Sequence, residues 1–568
     1  MTTTTETRTG PAAGARAGLD VLLTDAAVGN GTRRFIQPRA VAQVAAGVAR
    51  HPRRLAARAT GLGAELARVA AGRSEQRPAK GDRRFADAAW ERNWLLRRVL
   101  QGYLAVGEAV DRVITDADAD WQAERQARFA ASNVLDALAP TNFPWSNPAV
   151  LRAIVDEGGA NLTRGARRFA GDVAWPPRLP ASVDTEGFEV GGNLAATPGA
   201  VVLRTEVFEL IQYQPQTPKV HEVPLLLVPP TINKYYVLDL APGRSVVEHL
   251  VAAGQQVFVV SWRNPDEGQG HFDLDTYAGA VLEARDAVAE ITRRPAVHVN
   301  AACSGGIISA GALGHLAAEE GLDGIASLTL WVCALDSARA GTASALTSRE
   351  TAAAAIAESA RRGYLDGQAL AGVFAWLRPN DLVWNYVINN YLLGKKPPAF
   401  DVLYWNHDAV RLAAGLHRDF VRLALDNSLV RPGGLEVLGS PVDLSAIDVD
   451  SYIVAGANDH IVPWQSAYGS TQLLGGDTRF VLSASGHIQA LVNPPSAESR
   501  SSYRIAGEHP SEPEAFLEQA AKLPGSWWPD YVDWLAQRSG EMKPAPKKLG
   551  SRVHPAQGKA PGSYVFAR

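Results

Sequence analysis

Three residues in this chain are of the types, and stand in the order, that covalent acyl transfer requires: Cys303, Asp459 and His487. Cys303 lies in Val297-His-Val-Asn-Ala-Ala-Cys-Ser-Gly-Gly-Ile-Ile-Ser-Ala310. Val297 and Val299 alternate with polar neighbours as in a strand, two glycines break the pattern, and a small-residue helix follows. Strand, sharp turn and helix are the setting of a nucleophile elbow, in which a strained turn lifts one side chain above a sheet. The usual elbow is Gly-x-Ser-x-Gly; here it reads Ala301-Ala302-Cys303-Ser304-Gly305. A thiolate is a far better nucleophile than an alcohol near neutral pH, and its attack on a thioester is a near-balanced exchange. The stretch therefore points to acyl transfer from a thioester. Taken alone, it fits equally a small buried cysteine beside a helix-packing glycine pair.

A cysteine nucleophile needs a base, and the base an orienting acid. In α/β-hydrolases the chain order is nucleophile, acid, histidine. Asp459 follows the strand pattern Tyr452 to Ala455, in Gly456-Ala-Asn-Asp-His-Ile-Val-Pro-Trp464. His487 follows another, in Leu482-Ser-Ala-Ser-Gly-His-Ile488. A lone histidine is more often structural than catalytic, but order and loop placement together favour a triad. His460 competes as base, at a disadvantage, because adjacent residues such as Asp459 and His460 rarely aim at one atom. In this reading His487 takes the Cys303 proton, and Asp459 either orients His487 or activates an acceptor hydroxyl. The oxyanion should meet the backbone N–H of Ser304 and a second one after Pro229-Pro230, near Thr231 or Ile232; Ser304 and Ile232 are the expected pair. There is no His-Glu-x-x-His, no Walker sequence and no Gly-x-Gly-x-x-Gly after a strand, so neither metal nor cofactor is expected.

The elements that must position these residues read as an α/β fold. Pro224 to Pro230 and Gln256 to Trp262 are short apolar runs of the kind that form buried parallel strands. Leu328 to Leu335, which contains Cys333, and Asp450 to Ala455 read likewise, and Cys333 is expected as inert core. Val201 to Tyr213 alternates as an antiparallel strand, and Tyr277 to Thr292 is helical. Strands alternating with helices indicate βαβ units. The alternation breaks over about 336–444, where helical patterns and aromatics (Phe374, Trp376, Trp384, Tyr386, Tyr391, Tyr404, Trp405) suggest a cap. Packing of a cap core explains most of those aromatics better than an acyl pocket does. Before all this, helical patterns at Arg39 to Ala71, Asn93 to Ile114 and Ala119 to Ala139 predict a mostly α N-terminal domain. The expected boundaries are a disordered 1–30, a helical domain 31–195, a catalytic domain 196–542 and an extended tail 543–568.

Composition narrows the function further. The 568 residues are 46% apolar and 20% charged, ordinary for a chain with a sizeable core, and the net charge of -3 offers no basic field for nucleic acid. Two cysteines exclude a disulfide framework. No run reaches the roughly 18–20 apolar residues that span a bilayer, and Met1-Thr-Thr-Thr-Thr-Glu-Thr lacks a signal-peptide layout. A cytoplasmic setting is expected.

From about Asp82 onward the chain resembles the poly(3-hydroxyalkanoate) synthases, which polymerise (R)-3-hydroxyacyl-CoA into bacterial polyester granules. The resemblance is carried by Asp87-Ala-Ala-Trp90, Val228-Pro-Pro-Thr-Ile-Asn-Lys234, Ser261-Trp-Arg-Asn-Pro-Asp266 and Ala302-Cys-Ser-Gly-Gly306. It continues through Phe374-Ala-Trp-Leu-Arg-Pro-Asn-Asp-Leu382, Trp384-Asn-Tyr386, Asn389-Asn-Tyr-Leu-Leu-Gly394, Asn458-Asp-His-Ile461 and Ser485-Gly-His-Ile488. It implies an α/β-hydrolase core with a cap, Cys303 as the acylated nucleophile, His487 as base and Asp459 as the acid that activates the 3-hydroxyl. The elbow, Ser261-Trp-Arg-Asn-Pro265 and the ending Gly562-Ser-Tyr-Val-Phe-Ala-Arg568 are similar to the class II, single-subunit branch, which implies medium-chain monomers. Ala301 stands where the family commonly has glycine, and Thr231 where it often has Trp or Gln. The resemblance also implies a homodimer attached to granules, with granule-surface proteins as partners. Two rivals stand beside this reading. One is a thioesterase or depolymerase that gives the acyl group to water, and the other is a non-enzymatic granule protein on a dead hydrolase fold.

Overall fold

The computed structural model describes residues 38–174, 178–337 and 349–568, so the expectation for 1–30 lies outside the described residues. The chain forms two compact units. One contains the described part of Gly29–Asp184 with Gly372–Pro398, and the other that of Thr185–Ala371 with Ala399–Arg568.

The first unit is helical. Helices Pro38–Arg50 and Pro52–Ala70 are separated at Pro52, whose ring cannot continue the preceding helix. They are followed by Trp94–Asp116, Trp121–Ala137, Pro148–Asp156 and Ala160–Ala174. Asn93 and Asn147 cap two of these helices by accepting backbone N–H groups of the first turn. Arginines on these helices pair at the surface, as Arg58 does with Asp116 at 2.7 Å. The insertion expected over 336–444 is divided. Residues 372–398 belong to this unit, where Tyr391 stacks edge-on against Phe169 and Asn161 Nδ2 donates to Leu392 O at 2.8 Å.

The second unit is built on one sheet of eleven strands. In chain order these are β1 Gly199–Arg204, β2 Phe208–Tyr213, β3 Leu225–Val228, β4 Val257–Trp262, β5 Val297–Ala302 and β6 Ile325–Trp331. They continue with β7 Ser451–Gly456, β8 Thr478–Ser483, β9 Ser502–Ile505, β10 Ala521–Pro524 and β11 Gly558–Lys559. The spatial order is β10-β9-β8-β7-β6-β5-β3-β4-β2-β1-β11. The run β4-β3-β5-β6-β7-β8 is parallel and the flanks are antiparallel. Every residue of β3, β4, β5 and β7 is buried, which is why β3, β4 and β7 are nearly continuous apolar runs; β5 instead alternates, and its His298 and Asn300 are buried against the hydroxyls of Ser327 and Tyr531. Val201 to Tyr213 is two strands, not one: Thr205 Oγ1 accepts from Val207 and Phe208 N–H and turns the chain between β1 and β2. Residues 543–568 are extended but tied down. Met542–Pro544 pairs with Lys219–His221, β11 pairs with β1, and Val565 is buried in a short helical turn.

Candidate active site

Parallel strands deliver their loops to one edge of a sheet, and the loops after β5, β7 and β8 carry Cys303, Asp459 and His487. Cys303 has φ 50° and ψ −121°, a backbone conformation that a side-chain-bearing residue adopts at a cost of about 1–3 kcal/mol. Two hydrogen bonds hold it there: Cys303 N–H donates to Trp331 O at 2.9 Å, and Gly306 N–H donates to Cys303 O at 2.9 Å. The glycines allow the helix Ser304–Ala318 to approach. A Cβ on Gly305 would sit 2.5 Å from Val228 O, and one on Gly306 would sit 2.5 Å from Cys333 Sγ. Ala301 needs no such allowance. Its φ is not positive, it pairs with Val228 and Leu330 in the ladder, and it is fully buried.

The other two residues meet directly. His487 Nδ1 lies 2.6 Å from Asp459 Oδ2, with the histidine 6% and the aspartate 2% exposed. Asp459 Oδ1 accepts N–H from Ile461 at 2.8 Å and from Val462 at 2.9 Å, so both of its oxygens are engaged. Burial works against a charged imidazole, but the Asp459 charge and hydrogen bond outweigh it, with a further contribution from a hydrogen bond to Cys303. Together they push His487 up to about 10. His487 therefore touches both of the other expected residues.

Of the oxyanion candidates, Ser304 is part of the elbow, and Thr231, the neighbour of Ile232, is bonded to it. Ser304 is the first residue of the helix, where backbone N–H groups lack an intrahelical acceptor. Thr231 N–H is taken by Ser304 Oγ at 3.0 Å, and the two hydroxyls are 3.2 Å apart. Ile232 N–H, next along the chain, has no hydrogen-bond partner among the described residues and so is free to donate. The Ser304–Thr231 lock is invisible in sequence, since nothing in the pattern says that residues 73 positions apart share a hydroxyl.

Beside Cys303 lies an apolar cavity of about 60 Å³, lined among others by Ile307, Cys333, Phe420, Leu423 and Val462. Cys333 is buried as expected but lies two residues beyond the end of β6, in the cavity wall. Burial, with the charge of Cys303 added, holds its thiol well above the usual range, so it stays protonated. Tyr404 and Trp405, the two expected cap aromatics in this unit, are not among the residues that line this cavity. Trp376 packs edge-on with Trp384, Tyr404 tilts against Phe188, and Trp405 donates to Lys234 O. Of Phe374 only the backbone is described. Among the described residues no group of three or more His, Cys, Asp or Glu is arranged to hold a metal, and no helix is long and apolar enough to cross a membrane.

Comparison with known proteins bears on the same residues. The profile "Poly-beta-hydroxybutyrate polymerase (PhaC) N-terminus" matches residues 81–250, and an alpha/beta hydrolase fold profile matches 224–494. The chain is 44% identical over 519 residues to poly(3-hydroxyalkanoate) polymerase 2 of Ectopseudomonas oleovorans, covering 91% of this chain and 92% of that protein. It is 41% identical to the PhaC subunit of the polymerase from Cupriavidus necator, covering 88% and 85%. Among solved structures, a monoacylglycerol lipase of Paleococcus ferrophilus superposes with a TM-score of 0.32 at 13% identity, covering 59% of this chain and all of the lipase.

Proposed function

The chain belongs to the poly(3-hydroxyalkanoate) polymerase family, and from that premise we propose that it joins 3-hydroxyacyl units from CoA thioesters into a polyester through Cys303, His487 and Asp459. The observation that carries this reading is a cysteine at a strained elbow, in contact with a buried His487–Asp459 pair and opening on an apolar cavity.

The cycle needs one mobile proton. His487, pushed up to about 10, takes it from Cys303 as the thiol becomes the attacking thiolate. The thiolate attacks the thioester carbonyl carbon, the bond to the CoA sulfur breaks, and the imidazolium gives its proton to the departing sulfur. The neutral imidazole then takes the proton of a 3-hydroxyl. That oxygen attacks the acyl carbon, the bond to Cys303 breaks, and the thiolate is restored beside the imidazolium. At both stages negative charge on the carbonyl oxygen is met by the N–H groups of Ser304 and Ile232. The helix beginning at Ser304 adds its positive end. Asp459 orients His487 rather than activating the hydroxyl, because both of its oxygens are already occupied. Each step uses protein groups and the two substrates, so no cofactor enters the scheme.

Monomer length is set where the alkyl side chain goes. An apolar cavity of about 150 Å³ holds a benzene-sized group, so one of about 60 Å³ takes the methyl or ethyl group of a short monomer. The medium-chain preference implied by the resemblance requires the wall at Phe420 and Leu423 to swing aside. A cytoplasmic homodimer on polyester granules is the setting that the resemblance supports. Incubation with (R)-3-hydroxybutyryl-CoA and (R)-3-hydroxyoctanoyl-CoA tests the whole reading. CoA release with insoluble polyester is the expected result, and release of free 3-hydroxy acid alone would make the protein a thioesterase.

A further inference from the structure

The loop that offers Ile232 N–H runs from Pro229 to Lys234, and its far end is fixed in an unusual way. Lys234 is 5% exposed along its side chain, and its ammonium donates to Val565 O at 2.5 Å and pairs with Asp408 Oδ1 at 2.9 Å. Asp408 Oδ2 in turn accepts from Tyr236 OH at 2.9 Å. Burying an ammonium costs several kcal/mol unless it is paired and hydrogen-bonded. An apolar residue of the same length would fill the space more cheaply, so the charge fixes position rather than adding stability.

The segment that supplies the Val565 carbonyl is itself anchored by a second buried charge. Glu209, on β2, is fully buried. Its carboxylate accepts Ser563 N–H at 2.8 Å, Tyr564 N–H at 2.9 Å and the Ser563 hydroxyl at 2.7 Å, and it pairs with Arg204 at 2.7 Å. Tyr564 OH donates to Thr205 O at 2.6 Å, and Val565 is 3% exposed. The near end of the loop is fixed by the elbow itself through Thr231 and Ser304, and by Trp262 Nε1 donating to Pro229 O at 2.9 Å. Two buried charges, one on β2 and one on the loop, thus clamp residues 563–565 between them.

We propose that residues 563–565 are a positioning strap that, through Lys234, holds Ile232 N–H at the oxyanion of the acyl transfer. The inference rests on the reading of Ile232 as an oxyanion donor, but not on which acyl group is transferred. Lys234 and Glu209 touch neither substrate nor reacting atoms in this scheme. They act through the loop.

The test separates carbonyl chemistry from thiolate chemistry at Cys303. Acylation by p-nitrophenyl acetate develops an oxyanion, whereas alkylation by iodoacetamide needs only the thiolate. Lys234→Met and Glu209→Gln are each expected to slow the p-nitrophenol burst between 10- and 100-fold while alkylation stays within twofold. A chain ending at Pro561 should behave likewise, and adding the peptide Gly-Ser-Tyr-Val-Phe-Ala-Arg should restore its burst saturably. Loss of both rates together would show that the strap merely supports the fold, and no loss of the burst would show that it positions nothing. Absence of a burst in the parent protein would remove the oxyanion reading and this inference with it. A parent that gives the burst but releases no CoA from hydroxyacyl-CoA would overturn the polymerase reading and leave the strap standing.

Discussion

Phe420 is the residue whose removal should change what the enzyme polymerises. It projects from the helix Ala414–Asp426 into the cavity beside Cys303 and is 2% exposed. Phe420→Ala removes a benzene-sized ring, and such a ring occupies a cavity of about 150 Å³. Added to the existing 60 Å³, that is room for a pentyl group. A 3-hydroxyoctanoyl unit has four more methylenes than a 3-hydroxybutyryl unit. At about 0.8 kcal/mol per buried methylene, full burial would be worth about 3 kcal/mol, or on the order of 200-fold in relative kcat/KM. Incomplete filling brings the expected gain in the octanoyl-to-butyryl ratio to between about 10- and 100-fold. The variant loses stability, by about 3–5 kcal/mol for a buried Phe→Ala change, so the assay belongs at low temperature with near-UV circular dichroism as a check on packing. Phe420→Leu should shift the ratio in the same direction at smaller cost. CoA release is followed with a thiol reagent for each substrate over a range of concentrations. A ratio unchanged within twofold in a folded variant would refute the reasoning, because the alkyl chain would then bind somewhere other than this cavity.

Asp459→Asn removes the charge that keeps the proton on His487, and kcat for CoA release should fall by about 10²–10⁴-fold, with its decline at high pH beginning well below that of the parent. The same ion pair links stability to pH. His487 has an ordinary value near 6.5 when unfolded and about 10 when folded, so its contribution is complete below pH 6.5 and is lost as pH rises through about 10. Urea midpoints should therefore fall between those limits by more in the parent than in Asp459→Asn. Gly306→Ala drives a methyl to 2.5 Å from Cys333 Sγ and should destabilise by about 1–3 kcal/mol; Cys333→Ala in the same chain should recover part of that, and additive effects in thermal unfolding would count against the close approach.

The strand framework and the order of the three site residues were legible because burial on both faces leaves an unmistakable mark. Leu225–Val228, Val257–Trp262 and Ser451–Gly456 are runs with no exposed position. The acid follows such a run, and the elbow and the histidine follow the strands Val297–Ala302 and Thr478–Ser483. The turn at Val207 was hidden because β1 and β2 are both largely buried, and one alternating stretch looks the same as two. The grouping of residues 372–398 with the helical unit was hidden for a different reason. Residues 372–398 share apolar aromatic composition with their neighbours, and composition does not say which core an aromatic joins. Cys333 reads as strand core because Leu328 to Leu335 is apolar but for Thr329. The strand nevertheless stops at Trp331, followed by Val332 at φ 44°, and that break turns Cys333 into the cavity wall. Lys234 lies in a stretch that carries the resemblance but gives no sign of burial, since a lysine in a loop is ordinarily solvated and its two partners lie 174 and 331 positions away.

The choice between a hydroxyl and water as acceptor follows from how the site is enclosed rather than from the three residues themselves. Cys303, His487 and Asp459 are all less than a tenth exposed, and the cavity beside them offers water few polar partners. A hydroxyl on an acyl chain arrives with apolar groups that the cavity binds. Water enters at a bulk concentration of about 55 M, whereas a hydroxyl held in line with the acyl carbon can act with an effective molarity of about 10⁵ M or more. That ratio, on the order of 10³ or greater, is enough for chain growth to outrun hydrolysis at every turnover, without any group in the site rejecting water by charge. It also explains why the oxyanion loop is fastened at both ends. The advantage depends on alignment, and a misplacement of about 1 Å can cost on the order of 10²-fold, most of the margin by which the hydroxyl wins.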